Sequence, residues 1–262
     1  MLIRLIVSMG IALAIAVVAV RARVLTNTGA IAATIIGTCA LLAGWTWAVL
    51  LIVYFASSSA LSRFRAAEKD ARAAAVVEKG GHRDAMQVIA NGGVFALAAA
   101  LVVIAPVHEW RWAALAAGAL AASASDTWAT EIGILVGGIP RSILGFQPVQ
   151  PGMSGGITVA GSVAALAGAG FVALVAGVLG WPARIVLAAF VGGVIGSTLD
   201  SLLGATVQSR RWCPTCERAT ERTVHDCGTP TRLARGLAWF DNDVVNILCG
   251  VAGGLLALVM GG

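Results

Sequence analysis

The sequence predicts an all-α integral membrane protein, a polytopic helical bundle of about seven to eight transmembrane helices at roughly 20 apolar residues per crossing. Three observations carry that expectation. Charged residues make up 12% and hydrophobic residues 58% of the 262 residues, against about 25% charge in a soluble domain. Mean hydropathy is +0.88, which is more apolar surface than one water-solvated core can hide. The 18 Lys and Arg residues outnumber the 13 acids for a net charge of +5, yet they fall in short clusters between apolar runs. That is the distribution that orients membrane spans, not the continuous basic face of a nucleic-acid-binding domain, so no nucleic-acid partner is expected.

The runs follow one another along a single membrane domain, 1–262. The first, 2–20, is flanked by Arg4 and by Arg21 and Arg23, where a cleavable leader would carry small residues, and reads as a retained span. The second, 29–62, is too long for one helix, and Gly44-Trp45 near its middle predicts a break into two short spans. Further spans are expected at 88–105, 112–136, 155–179, 184–207 and 244–260. Three polar connections, near 63–87, 137–154 and 208–242, hold most of the remaining arginines and are expected on the cytoplasmic side of the cell (inner) membrane. Several of those arginines, Arg63, Arg65, Arg210 and Arg211 among them, need no role beyond orientation.

A short internal echo accompanies this order. Asn91-Gly92-Gly93-Val94 and Ser154-Gly155-Gly156-Ile157 each open a span, and the helices that follow return Ser123-x-x-Asp126-Thr127 and Ser197-x-x-Asp200-Ser201 to the same side. Two up-and-down helix pairs in parallel orientation would give this pattern, as in repeat-built membrane proteins.

Carboxylates inside spans are expensive and point to function. From the outer end at Trp112, Asp126 lies roughly 21 Å and Glu131 roughly 28 Å along a helix, and Asp200 lies roughly 24 Å from Arg184. All three reach the level at which Asp241 and Asp243 introduce the last span. Carboxylates at this depth take up protons or find cations, and a hard cation held by carboxylates and phosphate oxygens is a fitting partner, so Asp126, Asp200, Asp241 and Asp243 are the candidate Mg²⁺ ligands and, with Glu131, the candidate catalytic acids. Lys79, Arg83 and Arg141 are the candidate phosphate-binding cations. Ser154, Gly155 and Gly156, in a Gly-rich turn just before a helix, are candidates to offer amides or a hydroxyl to an anion, and Asn91 joins this nucleotide-binding set. The small-residue stripe around Asp200 also suits plain close helix packing.

Cys213-Pro-Thr-Cys216 followed by His225-Asp-Cys227 places four metal-ligating side chains in one polar loop. They are candidate ligands of a structural Zn²⁺; a reduced thiol cluster without metal is the other reading. With five cysteines, two of them inside apolar runs, no disulfide framework is implied.

Taken together, Glu78-Lys79-Gly80-Gly81-x-Arg83, Gln87-Val88 and Asn91-Gly92, Ser125-Asp126-Thr127-Trp128-Ala129-Thr130-Glu131-Ile132-Gly133, Pro140-Arg141, Gly152-x-Ser154-Gly155-Gly156-Ile157-Thr158, Gly196-Ser197-x-x-Asp200-Ser201-x-x-Gly204-Ala205 and Trp239-x-Asp241-Asn242-Asp243-x-Val245-Asn246 resemble the domain-of-unknown-function 92 family of integral membrane proteins. That family includes transmembrane protein 19 and the chloroplast phytyl-phosphate kinases. The likeness runs from about Glu78 to the C-terminus; Met153 stands where threonine is expected, and the loop after Arg141 is less basic than expected. The resemblance implies a membrane-embedded kinase that transfers a phosphoryl group from a nucleoside triphosphate, CTP favoured, to an isoprenoid monophosphate of the phytyl type. An ion-coupled transporter, or a nucleotidyl or alcohol-phosphate transferase acting on a lipid phosphate, shares the same intramembrane acids.

Overall fold

In a computed structural model, which describes residues 2–73, 82–136 and 138–262, the apolar runs become α1 (Leu2–Arg21), α2 (Asn27–Ala43), α3 (Trp45–Arg63), α5 (Ala85–Ile104), α6 (Glu109–Val136), α7 (Val159–Val178), α8 (Ala183–Thr206) and α9 (Asn242–Gly261), with an eight-residue α4 (Ala66–Ala73) between α3 and α5. The helical class expected from composition holds. Gly44 breaks the second run as expected: it takes φ +148°, and its N–H closes α2 on the Ala40 carbonyl at 3.0 Å. Six of these helices are long and apolar enough to cross a bilayer by length and composition, and α2, at 17 residues, is a shorter apolar helix.

The run expected at 112–136 behaves differently from the others. It becomes the 28-residue α6, in which every residue from Ala113 to Ser125 is buried. This helix packs most extensively against α7, α8 and α9, and it also meets α5 and α3. A helix enclosed by protein needs no apolar rim, so α6 can carry serines and an aspartate through its middle. Its neighbours come close because their facing residues are small. A Cβ added at Gly253 of α9 would lie 2.8 Å from both the Ala122 Cβ of α6 and the Gly192 carbonyl of α8.

Outside this centre the usual order of sizes is inverted. In α1 the buried residues are Ser8, Ala12, Ala16 and Ala19, spaced to form one stripe against α2, while Leu2, Ile3, Ile6 and Val18 are among the exposed ones. Large apolar side chains facing out and small ones facing in is the arrangement for lipid. Large rings pack in the half of the bundle away from the polar connections: Trp47 lies tilted by 53° against both Phe95 and Trp181, with centroids 5.7 and 5.3 Å away.

Two small sheets were not expected from the sequence. β1 (Arg141–Ser142) pairs antiparallel with β2 (Gly156–Ile157) just before α7, and β3 (Arg210–Cys213) pairs on either side with β4 (Arg218–Thr220) and β5 (Arg232–Arg235). The echo along the chain is only partly matched. α5–α6 and α7–α8 do form successive helix pairs, but Asn91 and Gly92 sit inside α5 rather than opening it, whereas Gly155 and Gly156 lie in the turn and strand before α7. Gly155, expected to begin a span, takes φ +80°, and a Cβ there would come within 2.5 Å of the Ala205 N, so this turn rests directly on α8.

Candidate active site

The polar connections meet at one end of the bundle, around a cleft of about 1610 Å³. Helix ends shape it. The first turns of α5, α7 and α9 reach it, each closed by a side-chain cap: the Asp84 Oδ1 accepts from Gln87 N at 2.9 Å, the Thr158 Oγ1 from Gly161 N at 2.9 Å, and the Asp241 Oδ1 from Val244 N at 3.1 Å. Helix N-termini carry partial positive charge and favour anions.

The last turns of α3 and α6 end at the same level, and α4 supplies cations to them. Lys69 is 6% exposed; its Nζ donates to the Leu61 and Ser62 carbonyls of α3, each at 2.8 Å, and forms an ion pair with Glu131 of α6. Arg72 donates to the Ile134 carbonyl at 3.0 Å and to that of Leu135. Arg63, expected to serve orientation alone, also caps a helix end: it donates to the Ala22 carbonyl just past α1.

Of the expected residues, Asp126, Glu131, Asp200, Asp241, Asp243, Arg83, Asn91, Ser154, Gly155 and Gly156 all line this cleft. Asp126 of α6 and Asp200 of α8 approach within hydrogen-bonding reach of each other, and Asp200 is 9% exposed with an Oδ2 that has no hydrogen-bond partner. Two carboxylates this close need a positive particle between them, a proton or a metal ion. Asp243, at 5% exposure, enters from the first turn of α9. Glu131 is engaged by Lys69, and Asp241 by its own helix. Asn91 donates back to the Gln87 carbonyl at 2.9 Å, while its own carbonyl accepts from the Ser123 hydroxyl at 3.1 Å.

Arg83 stands over the Phe55 ring at 5.6 Å, and its backbone is pinned by the α1–α2 turn: its N–H donates to the Val24 carbonyl at 2.9 Å and its carbonyl accepts from Thr26 N at 3.0 Å. Arg141 is the residue the structure does not bring to the cleft. It is exposed on β1 and donates to the Phe146 carbonyl of its own hairpin at 2.7 Å. Lys79 lies outside the described residues.

The cleft also includes residues that nothing in the sequence marks. Lys69 looks like any loop lysine until α4 folds it under α3. Glu221, between β4 and the Cys/His cluster, accepts from Ser154 N at 3.1 Å and from Gln208 Nε2 at 3.3 Å. A carboxylate thus occupies one of the amides expected to receive phosphate. The four candidate zinc ligands do converge: one ligand atom from each of Cys213, Cys216, His225 and Cys227 lies within 4.8 Å of the others. Hydrogen bonds from Thr229, and then from His225, lower the Cys227 thiol to about 6.

Residues 10–254 match the family model described as integral membrane protein DUF92. The chain belongs to the DUF92 family. Similar proteins cover the chain to different extents. Protein PGR of Arabidopsis thaliana is 30% identical over 248 residues, covering 84% of this chain and 83% of its own. The uncharacterized membrane protein MJ0933 of Methanocaldococcus jannaschii is 33% identical over 211 residues, 80% of this chain and 85% of its own, and the uncharacterized membrane protein sll0875 of Synechocystis is 31% identical over 177 residues, 64% and 65%. No solved structure matches this chain. The family match begins at residue 10, so α1 to α3 belong to the DUF92 unit, which extends the resemblance expected only from about Glu78. Those first helices earn their place physically, because the α1–α2 turn holds Arg83 at the cleft.

Proposed function

We propose that this DUF92 protein is a membrane-embedded kinase that transfers the terminal phosphoryl group of a nucleoside triphosphate, CTP favoured, to an isoprenoid monophosphate at the cytoplasmic face of the cell membrane. The observation that carries the reading is the Asp126–Asp200 pair, with its buried and unpartnered Asp200 Oδ2, opening into a cleft that also presents Arg83 and three helix N-termini. Carboxylates on one side and anion-favouring groups on the other make a place where a divalent ion and phosphate oxygens neutralise each other.

The donor set fits Mg²⁺: hard carboxylate oxygens, one of them orphaned, in an open cleft that leaves room for water and phosphate. Asp126, Asp200 and Asp243 would hold the ion, which when bound screens the charge on the transferring phosphoryl group. The chain's own contribution is position and charge. An oxygen of the acceptor phosphate forms a new P–O bond to the γ-phosphorus, the bond from that phosphorus to the β–γ bridging oxygen breaks, and the nucleoside diphosphate leaves with the electron pair. The acceptor oxygen is already anionic, so no general base is needed, and Arg83 and the first turn of α7, capped by the neutral Thr158, orient the phosphates.

A carrier needs its acids reachable from both sides, whereas here they gather at one end and the Trp47, Phe95 and Trp181 rings pack together toward the other. The deciding experiment uses purified protein, Mg²⁺, γ-labelled CTP or ATP and a panel of prenyl phosphates. Labelled prenyl diphosphate with release of nucleoside diphosphate is the expected result. Pyrophosphate release would point to nucleotidyl transfer, and no product with any acceptor from a folded protein would overturn the reading.

A further inference from the structure

We propose that the segment between α8 and α9 is a zinc-binding module, with Cys213, Cys216, His225 and Cys227 as ligands and one Zn²⁺ ion as the crosslink that holds its three strands together. The inference does not depend on the kinase reading. It starts from what the module lacks. Its strands are four, three and four residues long, and a small sheet of this kind needs an apolar face or another element to be stable. From residue 210 to residue 239 the buried side chains are Cys213, Thr220 and His225; Trp212, Val224, Leu233, Leu237 and Trp239 are all exposed. Two of the three buried residues are therefore members of the ligand cluster, and there is no hydrophobic core for them to complete. Small units without a core are held by disulfides or by metal, and all four positions are spatially arranged for the second.

The spacing of the ligand atoms fits. Zinc–sulfur bonds of about 2.3 Å in a tetrahedron give edges of roughly 3.8 Å; the Cys213 and Cys227 sulfurs stand 3.6 Å apart, and His225 Nδ1 lies 3.3 Å from Cys227 Sγ. The cysteines are free thiols, with no disulfide that would explain the clustering. His225 supplies an independent sign. The ring is 7% exposed, one nitrogen faces the sulfurs and the other, Nε2, has no hydrogen-bond partner, so hydrogen bonding alone does not account for its burial. The Cys216 N–H points to Cys213 Sγ at 3.5 Å, so the backbone helps to hold that sulfur in its place.

The module is also tied to the cleft. Arg235 Nη2 donates to the Gly204 carbonyl at the end of α8 at 3.1 Å, Leu237 N to the Val207 carbonyl at 3.1 Å, and Glu221 follows directly on β4 and accepts from Ser154 N. Zinc therefore fixes the strand that sets Glu221 against the Gly-rich turn.

The test is made on the full-length protein in detergent. Elemental analysis is expected to find about one zinc per chain. Exchange for Co²⁺ is expected to give the thiolate-to-cobalt charge-transfer band and the intense visible bands of a tetrahedral site. After chelation, limited proteolysis should cut within 210–235 while the helices stay intact. Cys213→Ser is expected to lose the metal; because Cys213 is fully buried and its variant can misfold, the exposed Cys227→Ser is the second variant, and Cys39→Ser, in α2, should keep full zinc. Absence of metal with the three cluster thiols titrating freely, weak octahedral cobalt bands, or a disulfide among these cysteines would each overturn the proposal. None of these readings requires a nucleotide or a prenyl phosphate, so their failure is distinguishable from failure of the kinase reading.

Discussion

Asp200 shows what a buried side chain costs when its partner arrives from another helix. Its Oδ2 has no hydrogen-bond partner and its neighbour is Asp126, a second acid. Replacing the carboxylate by an amide removes the repulsion and the metal site together. Asp200→Asn and Asp126→Asn should therefore each lower phosphoryl transfer by about 100-fold or more while the thermal midpoint in detergent stays level or rises. Activity kept near wild type would remove that residue from the site. Lys69 makes the opposite case. It neutralises Glu131 and satisfies two terminal carbonyls of α3 from a nearly fully buried position. Lys69→Met strands a partly buried carboxylate and should destabilise the protein by about 3 kcal/mol, read as a lowered thermal midpoint. Adding Glu131→Gln should recover part of that loss; no recovery would mean that the carbonyl caps, not the ion pair, carry the effect.

At the level of the helix, small residues decide which elements can meet. α6, α8 and α9 cross at Gly192, Gly196 and Gly253, where a Cβ has no room. Gly253→Val should separate these helices and cost about 1–3 kcal/mol, with Asp126 and Asp200 drawn apart and activity falling with stability. Gly10→Ala, on the exposed face of α1 with nothing within 4 Å of the added carbon, should be neutral or slightly stabilising by helix propensity. Equal melting shifts for the two variants would contradict the crossing as described. The eight helices formed by the apolar runs were legible one by one because such a run is announced by its composition, and the Gly44 break by a glycine in a run too long for one crossing. The two sheets were not: β1–β2 and β3–β4–β5 have strands of two to four residues, too short for alternation to register.

For the whole molecule, the cleft end carries the polar connections and the other end the short 106–108 turn and the α7–α8 link. With the arginine-rich connections inside, Gly145→Cys in the β1–β2 hairpin should react with a membrane-impermeant maleimide only after cells are opened, and Val107→Cys should react in intact cells. Gly145 has nothing within 4 Å of an added carbon and Val107 is 89% exposed, so neither change should disturb the fold. The reverse labelling pattern would place the cleft on the outer face and rule out a cytoplasmic nucleotide.

Composition and periodicity by themselves determined that this chain lives in lipid, roughly where it crosses, and which acids lie at one depth, because hydropathy and helical rise are local properties that a linear string records. The Cys-x-x-Cys and His-x-Cys spacings were readable for the same reason. Only the tertiary structure decided that Asp126 faces Asp200, that Lys69 is buried against Glu131, that Glu221 reaches the Ser154 amide, and that Arg141 turns to its own hairpin instead of the cleft. The first three depend on how segments far apart in sequence meet, which neither segment reveals alone, and for Asp126 and Asp200 the approach is set by Gly193 and Gly196 of α8 against Ala121 and Ala122 of α6; Arg141 is taken by a carbonyl five residues away in its own hairpin.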